Sequence, residues 1–301
     1  RNNTSSNARG GGMYSSYSWG ILKNITIANN TAWGVGGGVY MDNTDFTLSN
    51  VTFSGNTAGI VGGGMYLVES SSPILTNSIL WGNSPDEIHY DEIDDPSSIT
   101  ITYSDIQGGQ DSIATNNNGT VTWGNGNIDL DPMFVDTVNG DYHLLADSRL
   151  IDAGHPDSTD ADGTIADIGA YYYDQAGQPV RVTNLITTPS ADNVSVKWKA
   201  NSDAASYNIY RSTDVSADFY SLSPHTTASD TSYVDENVED NTTYHYRVSA
   251  VNGGGDEGIL AYSDHGRRGN DTTALSMGAD DRWISVSDPR APVFSPEQDY
   301  T

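Results

Sequence analysis

Apolar and polar positions alternate in short runs along the first eighty residues, and the whole pattern then repeats. Gly triplets at 10–12, 36–38 and 62–64 are each followed by an apolar residue and a tyrosine: Met13-Tyr14, Val39-Tyr40 and Met65-Tyr66. The interval is 26 residues both times. Leu22-x-Asn24, Leu48-x-Asn50 and Leu75-x-Asn77 give a second mark, and Ile27, Phe53 and Leu80 follow three residues after each Asn. Asn30-Thr31, Asn56-Thr57 and Asn83-Ser84 close the unit, with one residue inserted near Ser70–Pro73 in the last interval. Period-two alternation over a few residues predicts short strands. A unit this small cannot bury its own apolar face. Stacked units can, with strands ~4.8 Å apart along one axis. Leu is then expected over Leu, Phe over Ile and Asn over Asn. A corner Asn tolerates a left-handed backbone and can pair its amide with the Asn above. Asn24, Asn50 and Asn77 are therefore expected to form a structural ladder. Tyr14, Tyr40 and Tyr66 should form an aromatic stripe, primarily structural, with stacking on sugar rings as the functional alternative.

Beyond residue 85 the repeat loosens. Ile99-Thr-Ile101-Thr-Tyr103 alternates like one more rung, and the Gly/Asn-rich stretch Gln107–Asn127 reads as an extended turn around Trp123. Gly177-Gln-Pro179 marks a linker. After it, Val194-Ser-Val196-Lys-Trp198, Tyr207-Asn-Ile209-Tyr210-Arg211 and Thr243–Val251 alternate at the spacing of a β-sandwich. The polar segment after Ser263 has few core residues and is expected to lie on its own domain or on a neighbouring subunit, with 282–286 adding a strand to another sheet edge.

GGGMY, GGGVY and NVTFSGNTA resemble the right-handed β-helix repeats of the pectate-lyase-like superfamily and of polymorphic outer-membrane adhesins. DPMFVD (131–136), GDYHLL (140–145), LIDAGHPD (150–157) and DIGAYYYD (167–174) resemble the terminal module of bacterial β-helix surface proteins of the choice-of-anchor Q type. That resemblance implies a module that finishes the helix and caps its last rung. An early-strand Trp198 with the late T-Y-x-Y-R-V-x-A-V resembles a fibronectin type III domain. This implies Trp198 and Tyr244 in the sandwich core, Tyr244 as the corner tyrosine that bonds back to the backbone. The expected fold is all-β: a right-handed parallel β-helix with cap module over 1–177, a fibronectin type III β-sandwich over 178–265, and an extended C-terminal tail over 266–301.

Composition narrows the functional classes. The 301 residues include 40 acidic and 13 basic side chains, a net charge of −27. That balance excludes a nucleic-acid binder, which needs a basic patch against phosphate, and opposes docking on an anionic membrane. No apolar run reaches the ~20 residues of a transmembrane helix, and no basic-then-apolar leader opens the chain. A start at Arg1 suggests a processed or truncated product. The absence of Cys excludes disulfides, thiolate metal sites and thiol catalysis. Only three lysines occur among abundant Gly, Asn, Ser, Thr and Asp, a composition for strands and tight turns. An extracellular or cell-surface setting fits it.

Candidate chemistry is sparse. A polyuronate lyase needs cationic groups and a Lys, Arg or His base. Residues 1–177 hold four basic against 22 acidic side chains. Asp91, Glu92, Asp94 and Asp95 form a carboxylate run, but neighbours on a strand point to opposite faces, and a solvated loop is expected. The six His are scattered without ligand spacing. Asp157, Asp160, Asp162 and Asp167 flank Gly163 in a D-x-D-G pattern resembling calcium loops, which makes calcium the one candidate cofactor. Nine N-x-S/T sequons and four D-S/T-x stretches leave glycosylation open. The expected function is structural or adhesive, with head-to-tail self-association into an extracellular filament and no catalysis. The alternative is a carbohydrate-binding or carbohydrate-cleaving β-helix, with Trp19, Trp33, Trp81 and the tyrosine stripe contacting glycans.

Overall fold

The computed structural model describes residues 1–6, 9–92 and 95–268, with the backbone of 274–275 and 284–285. Among these the fold is all-β; the helical pieces are 3-10 turns at Gln110–Ser112 and Phe219–Ser221. The chain divides into two compact units, Arg1–Ala176 and Gly177–Thr301.

The first unit is a β-solenoid of about four turns. Strand Met13–Ala28 pairs in parallel with Val39–Ser54, placing Tyr14 on Tyr40, Leu22 on Leu48 and Ile27 on Phe53. The next turn repeats the register through Met65–Val68, Ile74–Thr76 and Ile79–Trp81: Tyr66 on Tyr40, Leu75 on Leu48, Leu80 on Phe53. Ile101 of strand Ser97–Thr102 lies against Leu75, Trp123 of strand Gly119–Trp123 against Ile101, and Ile106 against Leu80. The stacking expected from the repeat is present rung by rung. Val39, Leu48, Phe53, Met65, Leu75, Leu80 and Ile101 are fully buried inside the coil. Each such side chain contributes about 1.5–3 kcal/mol relative to exposure.

Sharp corners let one strand become the next without leaving the ladder. Asn24, Asn50 and Asn77 take φ of +54°, +54° and +51°, where a short polar side chain escapes most of the left-handed penalty. The fourth turn places Tyr103 there at +47°. The middle glycine of each triplet answers a different demand. A Cβ on Gly37 would lie 2.5 Å from the Thr57 carbonyl carbon and 2.6 Å from Gly63 O. Backbone passes against backbone there, so no side chain fits.

Residues 129–176 contain the four motifs of the expected cap module. They form a strap along one flank of the coil. His155 N donates to Asn77 Oδ1 (2.8 Å) and Gly169 N to Asn77 O (2.8 Å). Ala170 N donates to Thr52 Oγ1 (3.0 Å), and Asn50 Nδ2 to Asp167 O (3.1 Å). Farther along, Arg1 Nη1 donates to Gly140 O, beside the antiparallel pair Phe134–Asp136 and Asp141–Leu144. The corners explain this placement: a left-handed corner turns peptide and amide groups out of the ladder, and buried polar groups need partners. The strap supplies them across several turns at once.

The second unit is an antiparallel sandwich. One sheet contains Ile186–Pro189, Val194–Lys197 and Ser232–Asp235; the other contains Thr226–Ala228, Ser206–Ser212, Thr243–Val251 and Asp264–Arg267. The last strand therefore extends the sandwich to Arg267, two residues past the expected boundary. Trp198 is buried edge-on to Tyr207, with ring centroids 5.3 Å apart. Tyr244 is buried too, and its hydroxyl accepts from Glu239 N at 3.3 Å, the corner contact its position implies. Within the expected tail, Ala274–Leu275 pairs antiparallel with Ile284–Ser285; residues 269–273, 276–283 and 286–301 lie outside the described residues, as does most of the expected 282–286 strand.

Candidate functional site

The solenoid brings the sequence-selected residues together on two surfaces. On the first, the tyrosine stripe is a continuous stack. Tyr14 and Tyr40 lie 5.1 Å apart at 6°, Tyr40 and Tyr66 5.5 Å apart at 18°, and His89 extends the series at 5.8 Å and 9°. The 26-residue period does not point to His89, which lies 23 residues after Tyr66 because the chain between Leu80 and His89 is four residues shorter than between Phe53 and Tyr66. Tyr40 and Tyr66 are 3% and 8% exposed, against 50% for Tyr14. The inner rings use both faces on each other and cannot also stack on a sugar. What the stripe presents is a rim. Tyr14 Oη and Ser16 Oγ donate to Asp42 Oδ2 (3.4 and 3.1 Å), and Tyr66 Oη donates to Asp91. Arg9 sits 5.1 Å over the Tyr40 ring. Burial pushes the Tyr40 hydroxyl up to about 12, with Arg9 pulling the other way. Of the acidic run at 91–95, Asp91 thus anchors a tyrosine, and Asp94 lies outside the described residues.

The mutual amide ladder expected at Asn24, Asn50 and Asn77 occurs one mark later in each unit. Asn3 Nδ2 donates to Asn30 Oδ1 (3.0 Å), Asn30 Nδ2 to Asn56 Oδ1 (2.9 Å) and Asn56 Nδ2 to Asn83 Oδ1 (2.8 Å). Asn83 then donates to the Glu87 carboxylate. The difference is geometric. At the left-handed corners the amides turn outward, where Asn50 and Asn77 meet the strap, whereas the closing Asn lies inside the coil wall. Asn30, Asn56 and Asn83 are buried and their equivalents stack directly.

The second surface lies between the corners and the strap and contains the candidate calcium residues. Asp162 Oδ1 accepts from Thr164 N and Oγ1 (3.0 and 2.8 Å), and its Oδ2 accepts from Gln175 N (2.8 Å). Asp167 accepts from Asp152 N (2.7 Å) and Tyr173 N (2.6 Å). Asp160 Oδ2 accepts from Asp167 N at 2.7 Å, while Asp157 is exposed at the outer turn. Among the described residues no three acidic or histidine side chains converge as a metal cage. Asp160, Asp162 and Asp167 are turned onto backbone amides and tie the strap's own turns. Burial raises Asp167 to about 7, outweighing the two backbone N–H donors. Asp160 is raised by burial too, partly offset by the N–H of Asp167 and the charge of Lys23.

Between these elements lies a cleft of about 200 Å³, lined by Lys23, Asn24, Ser49 and Asn50 from the corners and by Ser158–Asp160, Asp167 and Tyr172 from the strap. Sequence reasoning did not find it, because Lys23 and Tyr172 are far apart in the chain and nothing in the repeat or in the DIGAYYYD motif brings them together.

No protein-family model matches the chain, and no curated protein matches it. Similar solved structures include a Fn3-like protein from Clostridium thermocellum, 27% identical, with 31% of this chain and 97% of that one covered and a TM-score of 0.28. The sixth fibronectin type III domain of human fibronectin type III domain containing protein 3 is 20% identical, covering 34% and 95%, with a TM-score of 0.27. The chicken CNTN1 FN1–FN3 domains are 22% identical, covering 30% and 32%, with a TM-score of 0.26. Among the described residues no helix is long and apolar enough to cross a membrane.

Proposed function

We propose that the chain is an extracellular structural or adhesive protein, related to right-handed β-helix surface proteins with a choice-of-anchor Q-type module, whose solenoids join head to tail into a filament. The observation that carries this reading is the distribution of charge along the coil. Residues 1–41 contain three basic and no acidic side chains, whereas residues 42–136 contain 14 acidic and no basic ones. Strand Met13–Ala28 pairs on one side with Val39–Ser54, and among the described residues no strand pairs its other side. It carries Trp19 and Ile21, 83% and 74% exposed. At the acidic end, among the described residues, Gly119–Trp123 pairs with Ser97–Thr102 alone. An unpaired edge recruits another strand, and a heterologous contact that does not close propagates. Opposite charge at the two ends favours this order of joining over head-to-head contact.

Filament formation is tested by sedimentation velocity with negative-stain microscopy of the 301-residue chain and of an Arg9→Glu/Lys23→Glu variant. Concentration-dependent linear particles that the variant fails to form are expected. A monomer at every concentration, or filaments unaffected by the charge reversal, would overturn it.

A further inference from the structure

The cleft beside Asn24 is distinguished from the rest of the flank by what its walls leave unused. The three corner asparagines are equivalent by register and by backbone angle. Two of them are engaged by the strap: Asn77 through His155 N and Gly169 N, and Asn50 through the Asp167 carbonyl. At Asn24 the strap stands away from the coil, and the cleft occupies the gap. Asn24 makes no side-chain hydrogen bond among the described residues, so it presents to the cleft the amide that its two equivalents spend on backbone groups.

Its neighbours are similarly unspent. Asp160 uses Oδ2 on Asp167 N and keeps Oδ1 available. Lys23, the one lysine of the solenoid, has no ion-pair partner within 4 Å among the described residues, although it is close enough to Asp160 to bias that carboxyl's titration. Tyr172 adds a partly exposed ring at the opposite wall. Asn24, Lys23, Asp160 and Tyr172 thus bring an amide, an ammonium, a carboxylate and a phenol to the wall of one cleft.

The wall chemistry selects a ligand class. It lacks the apolar lining that a lipid or drug-like molecule requires. Lys23 in the wall and the absence of a carboxylate triad disfavour a metal cation. The strongly acidic surroundings disfavour an anion. What remains is an uncharged molecule dense in both donors and acceptors, with an aliphatic ring face for Tyr172. The volume, about 200 Å³, falls below the ~300 Å³ at which drug-sized sites begin and suits one ring.

We propose that this cleft binds a single neutral hexose unit, as a free sugar or as the end of a glycan, with Asn24 and Asp160 hydrogen-bonding ring hydroxyls, Lys23 donating to a hydroxyl oxygen and Tyr172 covering a ring face. The site shares Lys23 and Asn24 with the terminal strand Met13–Ala28, whereas Asp160 and Tyr172 belong to the strap and lie outside the proposed filament joint. It is tested with the 301-residue chain by saturation-transfer NMR and calorimetric titration against methyl glycosides of glucose, galactose, mannose and N-acetylglucosamine. At least one glycoside should bind at millimolar strength, the affinity expected of a one-ring site. Tyr172→Ala and, separately, Lys23→Met should each weaken it at least tenfold, while circular dichroism and the melting temperature stay unchanged. No saturation transfer from any of the four, or binding that survives both substitutions, would overturn the site. Sedimentation of the same samples reports assembly, and Tyr172→Ala, which leaves Met13–Ala28 untouched, should lose sugar binding with self-association unchanged, so the two failures are distinguishable.

Discussion

Asn56 Nδ2 donates to Asn83 Oδ1 at 2.8 Å, while Asn56 Oδ1 accepts from both the backbone N–H and the side-chain amide of Asn30, at 3.0 and 2.9 Å. Each amide is at once donor to the turn on one side and acceptor from the other. The chain of bonds ends on Glu87, whose carboxylate takes both the Asn83 N–H and its amide. A polar column of this kind inside an apolar coil is stable because every member is satisfied, and it fixes the stacking register by leaving polar groups orphaned in any other.

Replacing Asn56 with Ala should therefore be costly. It removes the acceptor for two donors on Asn30, and it leaves the Ile27 carbonyl, held at 2.8 Å by Asn56 Nδ2, without that donor. Orphaned buried groups cost about 1–3 kcal/mol each, so a loss of roughly 2–4 kcal/mol is expected in urea denaturation. Asn24→Gly is the contrasting case. Its φ of +54° suits Gly, so the change should stay within about 0.5 kcal/mol. Equal costs at the two positions would show that the ladder has been placed at the wrong asparagine.

The repeat made the solenoid legible, because stacked apolar residues leave a period that composition alone cannot hide. Leu22, Leu48 and Leu75 were placed correctly for that reason, as were Ile27, Phe53 and Leu80. Two matters stayed hidden. Asn24 and Asn30 both recur at the period of the coil, and periodicity does not say which one points into the wall; backbone handedness at the corner decides it. The strap was hidden because His155, Asp167 and Gly169 reach corner residues some eighty or more positions earlier, and such contacts carry no local signature. The sandwich was legible through Trp198 and Tyr244, since their roles follow from strand alternation and one fixed corner.

The strap should be detachable by one substitution. Gly169 has φ of +120°, and a Cβ there would lie 2.7 Å from Ile79 Cδ1. Gly169→Val places a β-branched residue at a left-handed φ and against the buried Ile79, which strains the strap where it meets the coil. Solenoid turns otherwise couple only to their neighbours, so loss of a brace across several turns should lower cooperativity. Hydrogen exchange in the variant should accelerate at 150–175 and at the Asn50 and Asn77 corners, with the urea transition broadened. Unchanged exchange at those corners would refute a bracing role.

The carboxylates at 157–167 predict an outcome with chelator. Asp162 and Asp167 each direct both oxygens to protein donors, and no cage forms among the described residues. EDTA should leave the melting temperature within about a degree, and added calcium should not raise it. Asp162→Ala should destabilise the strap equally with and without calcium, by about 1–3 kcal/mol for the orphaned Gln175 and Thr164 amides. A chelator-dependent fall in melting temperature would restore the calcium reading.

In the sandwich, Tyr244→Phe removes the acceptor for Glu239 N and leaves in place the ring over which Arg211 lies at 4.6 Å. The bond is long at 3.3 Å, so the loss should be about 0.5–1.5 kcal/mol. It should appear only in the unfolding of the second unit, followed by the near-ultraviolet signal of Trp198 or by exchange at 243–251. A comparable loss in the solenoid would mean that the two units do not unfold independently.

The last prediction concerns pH and rests on three buried carboxyls of the solenoid unit. Burial raises Asp105 to about 8, Glu87 to about 7 and Asp167 to about 7. Asp105 is fully buried, and its Oδ2 has no hydrogen-bond partner among the described residues, while its other oxygen accepts from Leu130 N at 3.0 Å. In the unfolded chain these groups titrate near their ordinary values, around pH 4. Between that point and pH 8 the folded state holds more protons than the unfolded one, so stability falls as pH rises. It is fully present below about pH 4 and lost by the time the folded groups ionise. Carboxyls held below their ordinary range, such as Asp162 beneath its backbone N–H donors and Asp235 beside Arg211 and Tyr246, act in the opposite sense but only as pH drops below about 4. The melting temperature should therefore be highest near pH 5 and several degrees lower at pH 8.5. Asp105→Asn keeps an acceptor for Leu130 N and removes the titration, so it should flatten the profile and be more stable than the parent chain at pH 8.5. A profile that rises towards pH 8, or one that Asp105→Asn does not flatten, would mean that the buried carboxyls do not govern the solenoid's response to pH.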